Sequence, residues 1–243
     1  MVKIFITGSA DGLGLLSAES LLQKGHEVVL HARNETRKKD VFRKLPGASD
    51  VLVADLSDIA ETKRLAEEVN SLGSFDAIIH NAGVYTAPKD ILPVNVLAPY
   101  ILTAVIKKPK RLIYLSSDMH LSGHANRNFS DADLFELSYS DSKLFVVMLA
   151  VFVARNWMDV LANSVNPGWV PTRMGGDAAP DDLQKGFATQ VWLAQGVDPA
   201  TQVSGHYLFH QLQHQHNWEA DNQSRQQQLM EYCQWKTGVV FPV

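Results

Sequence analysis

The chain has 243 residues, 46% of them hydrophobic and 20% charged, enough apolar material for a substantial core within one α/β unit. With 22 basic against 26 acidic residues the net charge is −4, which offers no overall positive field to a nucleic acid or an anionic membrane surface. Cys233 is the one cysteine, which excludes an intramolecular disulfide framework and fits a reducing compartment. No stretch approaches the ~18 apolar residues of a membrane span, and Met1 runs directly into Val2-Lys3-Ile4-Phe5-Ile6, so a soluble cytoplasmic protein is expected, with no membrane and no nucleic acid as partner.

Apolar strand-like runs alternate with helical periodicity along the chain, the pattern of a parallel sheet covered on both faces. The expected strands are 2–7, 27–31, 51–54, 75–80, 111–116, 160–166 and 203–209. Between them the spacing predicts helices at about 13–24, 34–44, 58–71, 94–107, 139–157 and 181–195, each bounded somewhere by Gly, Pro, Asn or Asp. Six crossovers give a doubly wound α/β fold of about seven strands, read as a single domain over 1–243. The run Lys107-Lys108-Pro109-Lys110-Arg111 reads as a solvated connection, and the Gln and His enrichment at 210–228 as a surface segment.

The first strand ends in Thr7-Gly8-Ser9-Ala10-Asp11-Gly12-Leu13-Gly14, and a helix follows without a gap. Glycines there permit tight backbone geometry and let a pyrophosphate approach the helix N-terminus, where unpaired N–H groups and the helix dipole favour anions. At the first strand-to-helix turn of a βαβ unit this is a dinucleotide-binding candidate, although Gly-x-x-x-Gly-x-Gly differs from the usual Gly-x-Gly-x-x-Gly.

In Tyr139-Ser140-Asp141-Ser142-Lys143 the tyrosine and lysine are four residues apart and share one helix face. A neighbouring ammonium favours the phenolate, so Lys143 is expected to lower the Tyr139 pKa from its ordinary value near ~10 and make it a usable proton donor. The competing reading is an amphipathic helix whose lysine is a solvated end.

Taken in order, these residues resemble the short-chain dehydrogenase/reductase family over nearly the whole chain, with its Rossmann-type fold. Thr7, Gly8, Ser9, Asp11, Gly12, Leu13 and Gly14 resemble the family's cofactor turn, Asp55 with Leu56 its adenine-contacting acid, and Asn81-Ala82-Gly83 the motif after its fourth strand. Asn95, then Ser117 in Leu115-Ser116-Ser117, then Tyr139 and Lys143 follow, and Asn166-Pro167-Gly168-Trp169-Val170-Pro171-Thr172 closes the set, with Pro167, Gly168, Val170 and Thr172 placed at the cofactor. The 22-residue separation of Ser117 from Tyr139 is similar to that of the retinol-dehydrogenase-like branch.

The resemblance implies hydride transfer between a nicotinamide and a carbonyl or alcohol substrate. Tyr139 would act as general acid or base, Ser117 would hydrogen-bond the reacting oxygen, Lys143 would tune the tyrosine and bind the nicotinamide ribose, and Asn95 would hold a water linking Lys143 to solvent. Ser117 as a strand end and Asn95 as a helix cap are the plainer readings of those two residues. NAD enzymes usually place an acid at the end of the second strand to bind the ribose 2′-hydroxyl. This chain has Ala32 and then Arg33, with Arg37 one turn along, which favours NADP; the alternative is that Arg33 faces solvent or stacks on the adenine and NAD is used.

Trp169, Met174, Phe187 and Trp192, with Gly175-Gly176, suggest a partly apolar mobile lid, and His120, His124 and Phe129 are placed at the pocket entrance. Pro93 and Pro99 and the short spacings around Asn95 trim the fourth helix, which leaves homo-oligomerisation open. His206, His210, His214 and His216 lack acidic or cysteine companions, and no metal is expected. The leading reading is an NADP-dependent oxidoreductase; the alternative is a catalytically inactive dinucleotide-binding regulatory or interaction protein. A sugar-nucleotide epimerase or dehydratase would use the same tyrosine–lysine pair but needs a larger C-terminal substrate region.

Overall fold

In β1 (Lys3–Ile6), Ile4 and Ile6 face one layer and Phe5 the other, and none of the three is exposed, as a strand covered on both sides requires. The computed structural model describes residues 1–125 and 128–242; of the expected span 1–243, Asn126, Arg127 and Val243 lie outside the described residues. Around β1 run β2 (Glu27–Ala32), β3 (Asp50–Val53), β4 (Ala77–His80), β5 (Arg111–Leu115), β6 (Leu161–Asn166) and β7 (Tyr207–Phe209), all parallel, in the order β3-β2-β1-β4-β5-β6-β7. The order reverses between β2-β1 and β1-β4, the crevice where open α/β sheets bind ligands.

Two hydrophobic layers cover this sheet. Ile4, Ile6, Leu30, Ile79 and Ile113 pack on α1 (Gly12–Gln23), α2 (Glu35–Lys44) and α8 (Leu183–Gln195). Phe5, Ile78, Leu112 and Tyr114 pack on α3 (Ile59–Ser71), α5 (Ala98–Val105) and α7 (Tyr139–Asn156). Asp11, Asn34, Asp58, Ser138 and Asp182 cap α1, α2, α3, α7 and α8, each accepting a backbone N–H of the first turn.

The expected helix over 94–107 starts earlier and is irregular: α4 (Pro88–Asp90) leads into a π-helical stretch, Ile91–Leu97, before α5. Pro93 and Pro99 lack the N–H groups that a regular helix would use there, and the wide turn carries Asn95 inward.

The segment expected at the surface over 210–228 is mostly exposed, with Asn217, Ala220 and Gln226 buried, but it is built of regular elements. An eighth strand, β8 (Leu212–His214), returns antiparallel along β7 through a two-residue turn with His210 and Gln211 at φ 50° and 66°. Beyond it α9 (Gln223–Thr237) turns Leu229, Met230 and Cys233 onto α7, opposite the sheet. The tail continues inward, where Phe241 packs against Tyr100, Phe152 and Trp157, the Tyr100 hydroxyl donates to Val239 O at 2.7 Å and the Trp157 indole to Pro242 O at 2.6 Å. A short α6 (Asp131–Leu134) is tied to α9 through Asp131, which accepts from Tyr232 Oη at 2.9 Å and pairs with Lys236 at 2.7 Å.

Candidate active site

The turn after β1 is held from beneath. Thr7 Oγ1 accepts the backbone N–H groups of Asn81 and Ala82 at 3.0 and 3.1 Å, and Asn81 Nδ2 donates back to Thr7 O and Gly8 O, both at 2.9 Å. Gly8 has φ +62°, and a Cβ there would stand 2.8 Å from Ala82 Cα, so the turn and the segment after β4 meet only because Gly8 has no side chain. Ser9 Oγ donates to Ile6 O at 2.9 Å and accepts from His31 N at 2.9 Å.

His31, buried at the end of β2, completes this foundation: its Nδ1 accepts the Gly8 N–H at 2.9 Å while its Nε2 donates to Ala54 O at 2.9 Å. Those two bonds define the neutral Nε2–H tautomer. Burial lowers its pKa to about 4, against the pull of the Ala54 carbonyl and the Asp55 charge.

Above the turn lies a cleft of about 570 Å³, at the order reversal of the sheet and within the size range of small-molecule and cofactor sites. Of the expected site residues, Gly8, Asp11, Gly12, Leu13, Arg33, Asp55, Leu56, Asn81, Ala82, Gly83, Tyr139, Lys143, Pro167 and Thr172 line it. Seven expected site residues are not at its surface. Thr7, Ser9 and Gly14 lie under the turn, Gly14 so tightly that a Cβ would be 2.4 Å from Asn81 Nδ2. Gly168 is covered by Asp181, which also accepts from Trp169 N at 2.6 Å, and Val170 packs on Gly186 of α8. Asn95 and Ser117 are the remaining two.

Asn95 is buried and its amide is engaged as a brace: Oδ1 accepts Val84 N–H at 2.8 Å, and Nδ2 donates to Val84 O and Ser142 Oγ, both at 3.0 Å. It joins the segment after β4 to α7, and its Oδ1 lies on the same side of Gly83 as Lys143 Nζ, at 3.5 and 3.4 Å from where a Cβ would be. Ser117 caps the 3-10 turn Asp118–Ser122, accepting from Met119 N at 3.2 Å while its own hydroxyl donates to Asp118 at 3.1 Å. It is Ser116 that lines the cleft, its hydroxyl donating to Lys143 O at 3.0 Å.

Tyr139 and Lys143 open α7 and face the cleft together, the ammonium 5.4 Å from the phenol ring centre. Lys143 is almost fully buried, and its Nζ donates to Leu115 O at 2.7 Å; burial lowers its pKa to about 8. The expected lowering of the Tyr139 pKa is reversed: burial, with Tyr85 and the Asp118 carboxylate, pushes it up to about 12. Tyr139 therefore holds its proton throughout the neutral range. Tyr85, which the motifs do not single out, meets the Tyr139 ring edge-on at 4.9 Å.

At the other end Arg33 grips Asp55 with Nε and a terminal nitrogen, both at 2.8 Å. Although burial opposes it, hydrogen bonds from Ser57 and Arg33 hold the Asp55 carboxyl below the usual range. Arg37 lies 3.5 Å from Asp11.

The expected lid and entrance are corrected in part. Trp169 and Met174 are exposed near the cleft, but Phe187 and Trp192 face the core from α8, where apolar packing against α1 and the sheet holds them. His120 is buried rather than at an entrance, donating from Nδ1 to Ser117 O at 2.6 Å and accepting Asn217 N–H at 3.1 Å, and Phe129 packs on Phe145. Among the described residues no group of three or more His, Cys, Asp or Glu side chains is arranged to hold a metal ion, and no helix is long and apolar enough to cross a membrane.

Comparison with known proteins places this geometry. The short chain dehydrogenase family model matches residues 3–105. An uncharacterized oxidoreductase of Emericella nidulans is 43% identical over 100% of this chain and 99% of its own length. The short-chain dehydrogenase chyC of Penicillium rubens is 39% identical over the full length of both chains, 100% of each. Among solved structures, a Pseudomonas aeruginosa RhlG/NADP active-site complex superposes with a TM-score of 0.68 at 20% identity, over 85% of this chain and 93% of that one, which shows the shared fold. Full-length identity to a named short-chain dehydrogenase, on a chain with this sheet order and this cleft, makes the protein a member of the short-chain dehydrogenase family.

Proposed function

We propose that this oxidoreductase catalyses reversible, NADP-dependent hydride transfer between the nicotinamide and a carbonyl or alcohol substrate, with Tyr139, Lys143, Ser117 and Asn95 as its working set. The observation that carries the reading is the pairing, in one cleft, of a protonated phenol with a buried ammonium four residues away. The cleft residues fit a nicotinamide dinucleotide: Gly12, at φ +51°, begins α1, and among the described residues a Cβ there would meet only the Thr172 side chain, at 3.7 Å, which leaves room for a diphosphate at the helix N-terminus.

When bound, the nicotinamide supplies or accepts the hydride. Tyr139 gives its proton to the oxygen as negative charge develops there in reduction, and takes it back in oxidation. Lys143 stabilises the phenolate left behind, with its charge held in place by the Leu115 carbonyl. Ser117 would hydrogen-bond the same oxygen, a role that requires its hydroxyl to leave Asp118 and turn to the cleft, whose wall is formed here by Ser116. Asn95 acts at one remove, fixing the Val84 backbone against α7 so that the wall beside Lys143 keeps its shape.

NADP is favoured over NAD by Arg33 and Arg37, with Ala32 in place of an acid at the end of β2. Arg33 can present its free edge to a 2′-phosphate while Asp55 fixes the other. The test is titration with NADPH and NADH, followed by tryptophan fluorescence, together with a panel of aldehydes, ketones and alcohols followed by nicotinamide absorbance. Tighter NADPH binding and turnover of at least one class are expected. Equal or weaker NADPH binding would overturn the cofactor assignment, and tight binding with no turnover across the panel would favour an inactive dinucleotide-binding protein.

A further inference from the structure

The cleft holds four cationic side chains, Arg33, Arg37, Lys143 and Arg173. Three are accounted for: Arg33 pairs with Asp55, Arg37 lies beside Asp11, and the Lys143 ammonium is buried on the Leu115 carbonyl. Arg173 makes no ion pair and no hydrogen bond among the described residues, although it faces a cleft whose two carboxylates are both engaged elsewhere.

Its backbone is nonetheless fixed. Thr172 and Gly176 close a turn around it, with Gly176 N donating to Thr172 O at 2.8 Å and Gly175 N to Thr172 Oγ1 at 3.3 Å. Gly175 O in turn accepts the Trp169 indole N–H at 2.8 Å. This turn leans on the start of α1, where the Thr172 side chain would be 3.7 Å from a Cβ on Gly12. Successive Cα atoms are about 3.8 Å apart, so Arg173 follows directly on the residue that faces Gly12, and its side chain lines the same cleft as Gly8, Asp11, Gly12 and Leu13 at the helix N-terminus, where N–H groups favour an anion.

We propose that Arg173 binds the diphosphate of the dinucleotide from the lid side, opposite the N–H groups of α1, so that the anion is clamped between helix and lid. This rests on the reading of the cleft as a dinucleotide site, and adds to it a residue that belongs to none of the motifs by which the cofactor turn is recognised. A substrate carboxylate is the competing anion. The position of Thr172 over Gly12 favours the diphosphate, because it brings the Arg173 backbone beside the glycine turn.

The experiment is equilibrium binding of NADPH, NADH and adenosine 2′-monophosphate to the wild-type chain and to Arg173→Gln and Arg173→Lys, by calorimetry. Arg173→Gln should weaken NADPH and NADH by the same factor, about tenfold, as loss of one charge-assisted contact implies. Adenosine 2′-monophosphate, which has no diphosphate, should bind unchanged, and Arg173→Lys should recover part of the loss. The slope of log Kd against log salt for NADPH should be shallower in Arg173→Gln. Unchanged dinucleotide affinity in Arg173→Gln would overturn the proposal, including the case in which only a substrate KM rises. Loss confined to NADPH would also overturn it, by moving Arg173 to the 2′-phosphate. If the wild-type chain bound neither dinucleotide, the reading of the cleft itself would fail, an outcome distinct from normal binding that ignores residue 173.

Discussion

Gly8 donates its backbone N–H to His31 Nδ1 at 2.9 Å, so the shape of the glycine turn depends on an imidazole that must stay neutral. A proton on Nδ1 would set two donors against each other. His31 ordinarily titrates near 6.5 but at about 4 in the fold, so between those values the unfolded chain binds a proton that the folded chain refuses. Stability is therefore complete above pH 6.5 and declines as pH falls towards 4, by about 3 kcal/mol at the limit. His80, lowered to about 3 by burial, adds loss of the same sign. His31→Gln keeps a donor and an acceptor without titrating, so its unfolding midpoint should fall less than the wild type's between pH 7 and 4.5. Parallel declines in thermal melts at the two pH values would disprove this role.

Tyr139→Phe removes the proton and little else, because the ring contact with Tyr85 survives. Turnover should fall by about 10²–10⁴-fold, the usual worth of a positioned general acid. NADPH affinity, measured by fluorescence, should stay near wild type. Near-normal turnover in this variant would remove Tyr139 from the chemistry.

Lys143 predicts opposite effects on stability and activity. Its pKa falls from 10.5 to about 8 in the fold, so across that window the unfolded chain binds more protons and stability rises with pH. At pH 7 the buried ammonium is a net burden, and Lys143→Met should stabilise the fold by roughly 1–3 kcal/mol while abolishing turnover. The gain should shrink by pH 10, where the wild-type lysine is neutral. In the wild type, carbonyl reduction should slow above about pH 8 as the ammonium is lost. A Lys143→Met chain that melts below wild type by the same margin at both pH values would refute the burial argument.

Cys233 tests the C-terminal helix. The thiol is buried between α9 and α7 and burial pushes its pKa up, so a thiol-reactive dye should label it only when α9 lifts. Asp131→Ala cuts the contacts with Tyr232 and Lys236 and should speed labelling by about threefold to tenfold without altering dinucleotide affinity. Labelling as fast as that of a free peptide would mean that α9 does not stay docked.

What the sequence disclosed followed the physics that leaves local traces. Strands buried on both faces read as apolar runs, and the turn from Thr7 to Gly14 announced itself because backbone contact there admits only glycine. The tyrosine and lysine met in the cleft because a helix fixes residues four apart on one face. Other features leave no such trace. His31 looks like any strand residue until its ring is seen bridging Gly8 and Ala54. The β7–β8 turn takes its left-handed backbone from His210 and Gln211, not from the Asn-Gly pair that marks such turns. In α9 the apolar positions 229, 230 and 233 are set among glutamines, one of which, Gln226, is itself buried and donates to Ala220 O. Phe187 and Trp192 have the composition of a lid, but the helix phase turns them to the sheet.

The tail that seats Phe241 between Tyr100, Phe152 and Trp157 has a consequence for the order in which the molecule is made. A growing chain can assemble the sheet through β6 and lay α7 across it, yet the outer side of α7 stays bare until residues 223–242 have cleared the ribosome. Covering the helix that carries Tyr139 and Lys143 is thus a late step of folding during synthesis, after the sheet it lies on has formed.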